Sequence, residues 1–453
     1  MKKFFLTSSL IIILVISIAG IWSIVSGGYD RQNKVILLIK KVIPSPLARK
    51  IRDTIFIIPS LKTDNKILAL QVKKYEQKYE GNKFYEKNIS SENENYNFNL
   101  KKFFLPFKRL DLKMGWQAEA NIKRAHYLEI VEDKIFAISG EGETIFFDKK
   151  NINQNKLSQK KINNNLNQVL KNRNTELFAI RDLYYEKNFI YISAVEKTAE
   201  GFTINIYRAE KNFNDLVFSL FFESLVNFPE YTLQSGGRIE KFKDNKILFS
   251  IGFFAKYKSV QDMNSLAGKI VAIEKQKKTY EIISLGHRNP QGLFYSNKND
   301  LIINTEHGPI GGDEVNLNFI NDKKVKNFGW PISTYGKPYK PTKEIFEKNG
   351  WLKKSHEENN FEESIKYFSP AIGISELIYL EDQSDSTKKI YVSSLRAASI
   401  YILEVDKDME KILKTDRISF GDNRIRDLKY DNENQVFLII FENTPAVGIL
   451  KSN

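Results

Sequence analysis

Cysteine is absent from this 453-residue chain, so no disulfide framework, thiolate metal site or cysteine nucleophile is available. Histidine is scarce, with only His126, His287, His307 and His356, and few imidazoles therefore compete for any acid–base role. Convincing long helices are few after about residue 104, and no exact internal repeat is visible. A stripe of arginines interleaved with aromatics is also lacking. The net charge of +14 would otherwise point to nucleic acid or an anionic surface. Here the lysines are scattered among Asn and Ile, as a compositional bias produces, and no nucleic-acid partner is expected.

What is present begins at the N-terminus. Lys2 and Lys3 precede an apolar run from Phe4 to Val25, which as a helix spans about 33 Å, enough to cross a bilayer. Ser26, Gly27 and Gly28 offer small residues but no A-x-A cleavage pattern, so an uncleaved anchor over 1–28 is favoured above a cleaved, secreted form. Arg31, Lys34, Lys40 and Lys41 follow the run and outnumber the preceding lysines. Large domains translocate largely regardless of such charge, so a periplasm-facing domain on an inner-membrane anchor remains the expectation. Residues 29–103 read as a juxtamembrane segment and linker, with a helix around Lys66 to Tyr79. From 104 to 453 short β-rich segments follow one another at fairly even spacing, including Lys134–Ser139, Lys246–Ile251, Ser399–Glu404 and Val436–Phe441. Lys149 to Asn174, dominated by Asn, Lys and Gln, reads as a solvated loop insertion. About 350 residues of short strands suit a β-propeller better than a single sandwich.

The most informative stretch is 286–336. Gly286–Leu293 (GHRNPQGL), Glu306–Pro309 (EHGP), Asp313–Asn316 (DEVN) and Asn327–Pro331 (NFGWP) set charged and amide side chains on Gly and Pro punctuation, at strand ends and in loops. In order and spacing these motifs resemble the glucose/sorbosone dehydrogenase family, the soluble aldose dehydrogenases that use pyrroloquinoline quinone (PQQ). Weaker echoes occur at Gly236–Ile239, Gly268–Ile270, Ser393–Arg396 and Arg424–Asp427, and the likeness covers roughly 175–450. It implies an all-β, six-bladed β-propeller with the cofactor in its central mouth, and a diverged member of the family.

PQQ is an ortho-quinone with three carboxylates, and arginine can offer such groups two parallel hydrogen bonds. The resemblance places Arg288, Asn289, Arg396, Arg424 and Arg426 at cofactor-contacting positions; Arg424 and Arg426, spaced i, i+2, are expected to face one anion. It also implies Ca²⁺ against the quinone, held by the backbone carbonyls of Gly308 and Pro309, hard oxygen donors on a turn. Glu314, with Asp313, either helps a second Ca²⁺ site or braces the loop, bracing being the commoner use. Trp330 and Tyr335 border the substrate mouth or pack in the core.

Three positions depart from the family pattern. The family's base, a His four residues before the Arg of the G-G-R motif, is replaced by Gln234, which has no titratable lone pair near neutral pH. The expected Gly-Asp is Gly252-Phe253, and the expected Lys is Arg396. Of the four histidines only His307, within the Glu-His-Gly-Pro turn, is close in sequence to the implied Ca²⁺ site, as a substitute base or a plain loop residue. Two functions are therefore carried forward: PQQ- and Ca²⁺-dependent oxidation of an aldose at C1, and a catalytically silent propeller that binds a sugar or envelope partner.

Overall fold

Val436–Phe441 (VFLIIF) is apolar at every position because both faces of the strand are covered. Val436, Leu438 and Ile440 pack with Leu128, Ile135 and Ala137 on one side. Phe437, Ile439 and Phe441 pack with Tyr391, Ile400 and Ile402 on the other. Successive strand residues point to opposite faces, so a strand between two neighbours reads as a continuous apolar run. The same logic holds around the molecule. The computed structural model describes residues 83–108, 123–229, 234–321, 324–351, 356–380 and 387–453. It arranges them as six mainly antiparallel sheets of four or five strands.

These sheets are the blades of a propeller. Their innermost strands are His126–Val131 in blade 1, Glu176–Glu186 in blade 2 and Gly236–Phe242 in blade 3, then Pro290–Ser296, Ile374–Leu380 and Ile425–Asp431 in blades 4 to 6. Each innermost strand lies beside the next, and that of blade 6 lies beside that of blade 1, so the ring closes. Six apolar clusters fill the six interfaces between neighbouring blades. The expected six-bladed all-β architecture is therefore present.

The chain differs from its sequence-based reading at two places. The propeller starts before residue 104: Lys83–Ser90 and Asn97–Phe104, placed in the linker, form the two outer strands of blade 6, the second pairing with Ala446–Ser452. Their alternation of Asn and Lys with Phe, Ile and Leu is that of an edge sheet covered on one face, which polar composition disguises as linker. The supposed insertion at 149–174 contains the strand Lys160–Asn164 and the short helix Leu166–Asn172, whose Leu166 and Leu170 are buried. The N-terminal anchor and the helix expected near 66–79 lie outside the described residues. Among the described residues no helix is long and apolar enough to cross a membrane.

Candidate functional site

A repeat that sequence inspection missed organises the centre. Ile180-Arg181-Asp182-Leu183 opens the tunnel-facing part of blade 2, and Ile425-Arg426-Asp427-Leu428 opens blade 6. The corresponding tetrapeptides are Ala125–Leu128, Gly236–Ile239, Pro290–Leu293 and Ile374–Leu377. All six end in Leu or Ile. In blades 2 to 6 the ladder register slips at this point, a bulge that turns successive side chains toward the axis. Third-position residues then meet on one arginine. Arg238 Nη1 lies 2.9 Å from each of Asp182, Glu376 and Asp427. Its guanidinium sits 5.0 Å over the Tyr127 ring, and its Nε donates to the Gln291 carbonyl at 2.6 Å. Blade 4 contributes Gly292 here because a Cβ would come within 2.9 Å of Glu376 Oε1. Asp182 and Asp427 also accept the backbone N–H groups of Ile239 and Leu128, each tying its blade to the next.

On the side where the inner strands begin lies the mouth, and the structure brings most of the predicted residues together there. Arg288 and Asn289 are buried. Asn289 Oδ1 accepts from Gly236 N and Gln291 Nε2 at 3.2 and 3.1 Å, and Gln234 stands two residues from Gly236. The Gln234 carbonyl accepts from Phe254 N, and the Arg288 carbonyl accepts from Phe253 N. Two of the three diverged positions, Gln234 and Phe253, thus flank the Arg288–Asn289 pair. The Arg288 guanidinium lies over Trp330 and Phe253, 5.3 and 5.7 Å from their centroids. It donates to the His307 carbonyl at 2.9 Å, while its Nε has no partner. Burial holds its pKa below the ordinary arginine value.

Arg424 and Arg426 do face one anion, and it belongs to the chain: Glu442. Arg426 grips it through Nε and Nη2 at 2.8 and 2.7 Å, and Arg424 Nε stands 3.6 Å away. Arg124, which no motif flagged, joins them with Nε at 2.7 Å. Burial would raise the Glu442 carboxyl, but Arg426, Arg424 and Arg124 hold it down at about 2. Three guanidiniums share one carboxylate; burial, with repulsion from Arg124 and Arg426, brings Arg424 down to about 10. Next to them His126 is buried, its ring tilted against that of Phe107, with both ring nitrogens unpartnered; burial lowers its pKa to about 4. Arg181 donates to Gly236 O and to Gln291 Oε1, the atom that Arg426 Nη1 also reaches. Arg396 stands apart from this cluster on an exposed turn of blade 5.

The Gly308-Pro309 turn closes another part of the mouth. A Cβ at Gly308 would lie 2.1 Å from the Gly312 carbonyl, so only glycine fits. The Pro309 carbonyl accepts from Tyr339 Oη at 3.2 Å. Asp313 braces the turn, accepting from Gly308, Gly373 and Ile374 N–H groups, and the part-buried His307 Nδ1 lies 3.7 Å from Asp313. Glu314 is buried beside Glu306, and burial with that neighbouring charge raises its pKa well above the usual carboxylate range. About 10 Å³ remains between Glu314, Glu306, Arg288 and Trp330, room for about one water. Among the described residues no group of three or more His, Asp or Glu side chains is arranged to hold a metal. Ser284 Oγ, His287 Nε2 and His287 Nδ1 with Glu306 form contacts of 2.7 and 2.9 Å that copy a nucleophile–base–acid relay. All three residues are buried, so this triad braces blades 3 and 4. Trp330 packs with Phe253, Val260 and Phe346. Tyr335 stacks between His356 and Tyr367 at 4.5 Å on either side.

Beyond the Arg238 plug, the far end of the tunnel opens into a cavity of about 700 Å³ lined by Glu129, Glu240, Glu376 and Lys429. Burial pushes the Glu240 carboxyl up to about 8 against the pull of Lys429, and Glu129 and Asp182 add to the rise. A carboxyl whose folded value exceeds its unfolded 4.5 stabilises fully below that value and loses the contribution as pH rises through about 8. Denaturation midpoints of wild type are therefore expected to fall between pH 5 and 8.5, and Glu240→Gln to make that fall shallower. An unchanged slope in the variant would refute the assignment.

A closed six-bladed propeller with a plugged tunnel and a cation-rich mouth at the strand starts is the frame in which the central motifs sit. A sequence model of the family described as Glucose / Sorbosone dehydrogenase matches residues 149–447. The chain belongs to that family. It is 26% identical over 225 residues to aldose sugar dehydrogenase YliI of Escherichia coli, covering 46% of this chain and 57% of the relative, little more than half of that protein's length. Over 50 residues, 11% of this chain and 9% of the relative, it is 46% identical to quinoprotein glucose dehydrogenase B of Acinetobacter calcoaceticus. Among solved structures, the soluble aldose sugar dehydrogenase of Escherichia coli in its apo form aligns with TM-score 0.56 at 18% identity, covering 74% of this chain and 97% of that one. The PQQ-bound aldose sugar dehydrogenase of Streptomyces coelicolor aligns with TM-score 0.52 at 15% identity, covering 78% and 98%. These likenesses in structure concern the fold.

Proposed function

We propose that the mouth binds PQQ and that the protein acts in the oxidation of an aldose sugar. The observation that carries this is the surplus of buried cationic donors: three arginines share Glu442, and Arg288 Nε is left without a partner. A tricarboxylate suits that donor set, because uncompensated buried charge is costly until paired. PQQ, when bound, supplies the quinone that accepts a hydride from C1 of the sugar. Arg288 and Asn289 orient it, and Arg424 and Arg426 bind its carboxylates; Arg396, apart from the cluster, takes no share in this. The carbonyls of Gly308 and Pro309, with Glu314 behind them, offer hard oxygen to Ca²⁺, which would supply Lewis acidity. Trp330 and Phe253 keep water from the Arg288 guanidinium.

The proton from the sugar hydroxyl has no obvious acceptor at position 234. That observation favours a second reading, a propeller that binds cofactor or sugar without turnover. Purified full-length protein should be titrated with PQQ and calcium, then assayed by dye reduction with a panel of aldoses. PQQ binding with turnover that disappears on omission of calcium is expected for the enzyme. Binding without turnover selects the silent propeller, and absence of PQQ binding refutes the cofactor assignment. The same reading places residues 1–28 as a membrane anchor with the propeller in the periplasm; protease protection in spheroplasts with intact inner membranes would contradict it.

A further inference from the structure

We propose that Arg124 is a third arginine of the cofactor's carboxylate clamp, beside Arg424 and Arg426. The inference rests on the PQQ reading above. It adds a residue that lies outside the 149–447 segment matched by the family, so the resemblance could not assign it.

Blade geometry is the first argument. Counting back from the Leu or Ile that ends each tunnel-facing tetrapeptide, Arg124 precedes Ala125 as Arg424 precedes Ile425 and Asn289 precedes Pro290. The three side chains therefore leave equivalent points on blades 1, 6 and 4, at the rim of one mouth. The equivalence of blades 1 and 3 is marked by a contact: Leu128 N donates to Asp427 as Ile239 N donates to Asp182. Arg124 thus repeats, one blade along, the placement of Arg424.

Charge and satisfaction are the second. Arg124 is 4% exposed. Its Nε meets Glu442 Oε1 at 2.7 Å but off the hydrogen-bond direction, so both atoms lack a hydrogen-bond partner. Arg426, by contrast, spends Nε and Nη2 on Glu442 and Nη1 on Gln291. Of the two, Arg124 is the less committed cation. Among the described residues its neighbours offer it no other anion: burial disfavours the charged form of His126, whose ring nitrogens are unpartnered, and Arg424 and Arg426 are like charges. A continuous polar path joins it to the Arg288–Asn289 side of the mouth, through Glu442, Arg426, Gln291 and Asn289. An anion spanning that path would meet arginine at both ends.

The test is equilibrium titration of the full-length protein with PQQ in the presence of calcium, read from the absorbance of the bound cofactor, for wild type, Arg124→Gln and Arg124→Lys. Arg124→Gln is expected to raise Kd about tenfold or more and to flatten the dependence of Kd on salt. Arg124→Lys keeps a buried charge, so it folds even where the Gln variant does not; lysine cannot present two parallel donors, so an intermediate loss of affinity is expected. If wild type binds PQQ while both variants bind it equally well and with the same salt dependence, this assignment falls and the cofactor reading stands. If wild type binds no PQQ, both fall together.

Discussion

Gln234→His is expected to raise aldose turnover of the PQQ-loaded protein by about 10²–10⁴-fold, the usual contribution of a positioned general base. Gln234 lies two residues from Gly236, whose N–H is tied to Asn289, and its own carbonyl is held by Phe254 N. The backbone that carries position 234 is thus fixed to the same pair that would orient the cofactor. An imidazole there needs no rearrangement of the main chain to serve the mouth. Its orientation does need help, because Phe253 replaces the family's acid and offers no acceptor for the second ring nitrogen. Adding Phe253→Asp is therefore expected to increase the gain. The measurement is dye-coupled kcat at saturating PQQ, with cofactor affinity monitored separately. Unimproved turnover in both variants, with PQQ bound normally, would mean that the missing base is not what limits this chain.

The second large effect is on stability. Arg238→Met is expected to cost about 3–5 kcal/mol in chemical denaturation, because removing one partner of a buried ion cluster leaves the others uncompensated. Those others are Asp182, Glu376 and Asp427, each within 2.9 Å of the lost guanidinium and none open to bulk water. The pH dependence should steepen without changing sign. Burial already raises Asp182 and Glu376 against the pull of Arg238; without that guanidinium they hold protons more tightly still in the folded state, so the variant should recover stability as pH falls toward 5. Arg238→Met combined with Asp182→Asn and Asp427→Asn should recover part of the loss at pH 7. A loss below about 1 kcal/mol at pH 7 would show that the cluster is hydrated rather than sealed.

Much of this was legible in the chain. Lys246–Ile251 and Val436–Phe441 are strands with the expected limits, since their apolar runs and flanking turn residues are unambiguous. The block from Gly286 to Pro331 gave the mouth its Arg288, Asn289 and Gly-Pro turn, because local motifs survive in sequence. What was illegible depends on contacts distant along the chain. Glu442 is an ordinary residue of a turn until three arginines from two blades converge on it. Arg238, an echo in a motif, becomes the axis of the molecule only when Asp182, Glu376 and Asp427 arrive from other blades. The repeated Ile-Arg-Asp-Leu is four residues long in blades that otherwise share little sequence, so only the superposed geometry of the inner strands makes it visible. Lys83–Phe104 was hidden because its partner strand lies at the opposite end of the chain.

That last pairing has a consequence for how the protein comes into being. Blade 6 joins the first described strands to the last ones, Asn97–Phe104 against Ala446–Ser452. During synthesis the early hairpin of Lys83–Ser90 and Asn97–Phe104 must wait, with one edge of its second strand unpaired, for more than three hundred residues before the partner strand emerges. Ring closure is therefore the last event of assembly and the one with the longest sequence separation. Until then blade 6 presents open edges, which invite pairing with another chain.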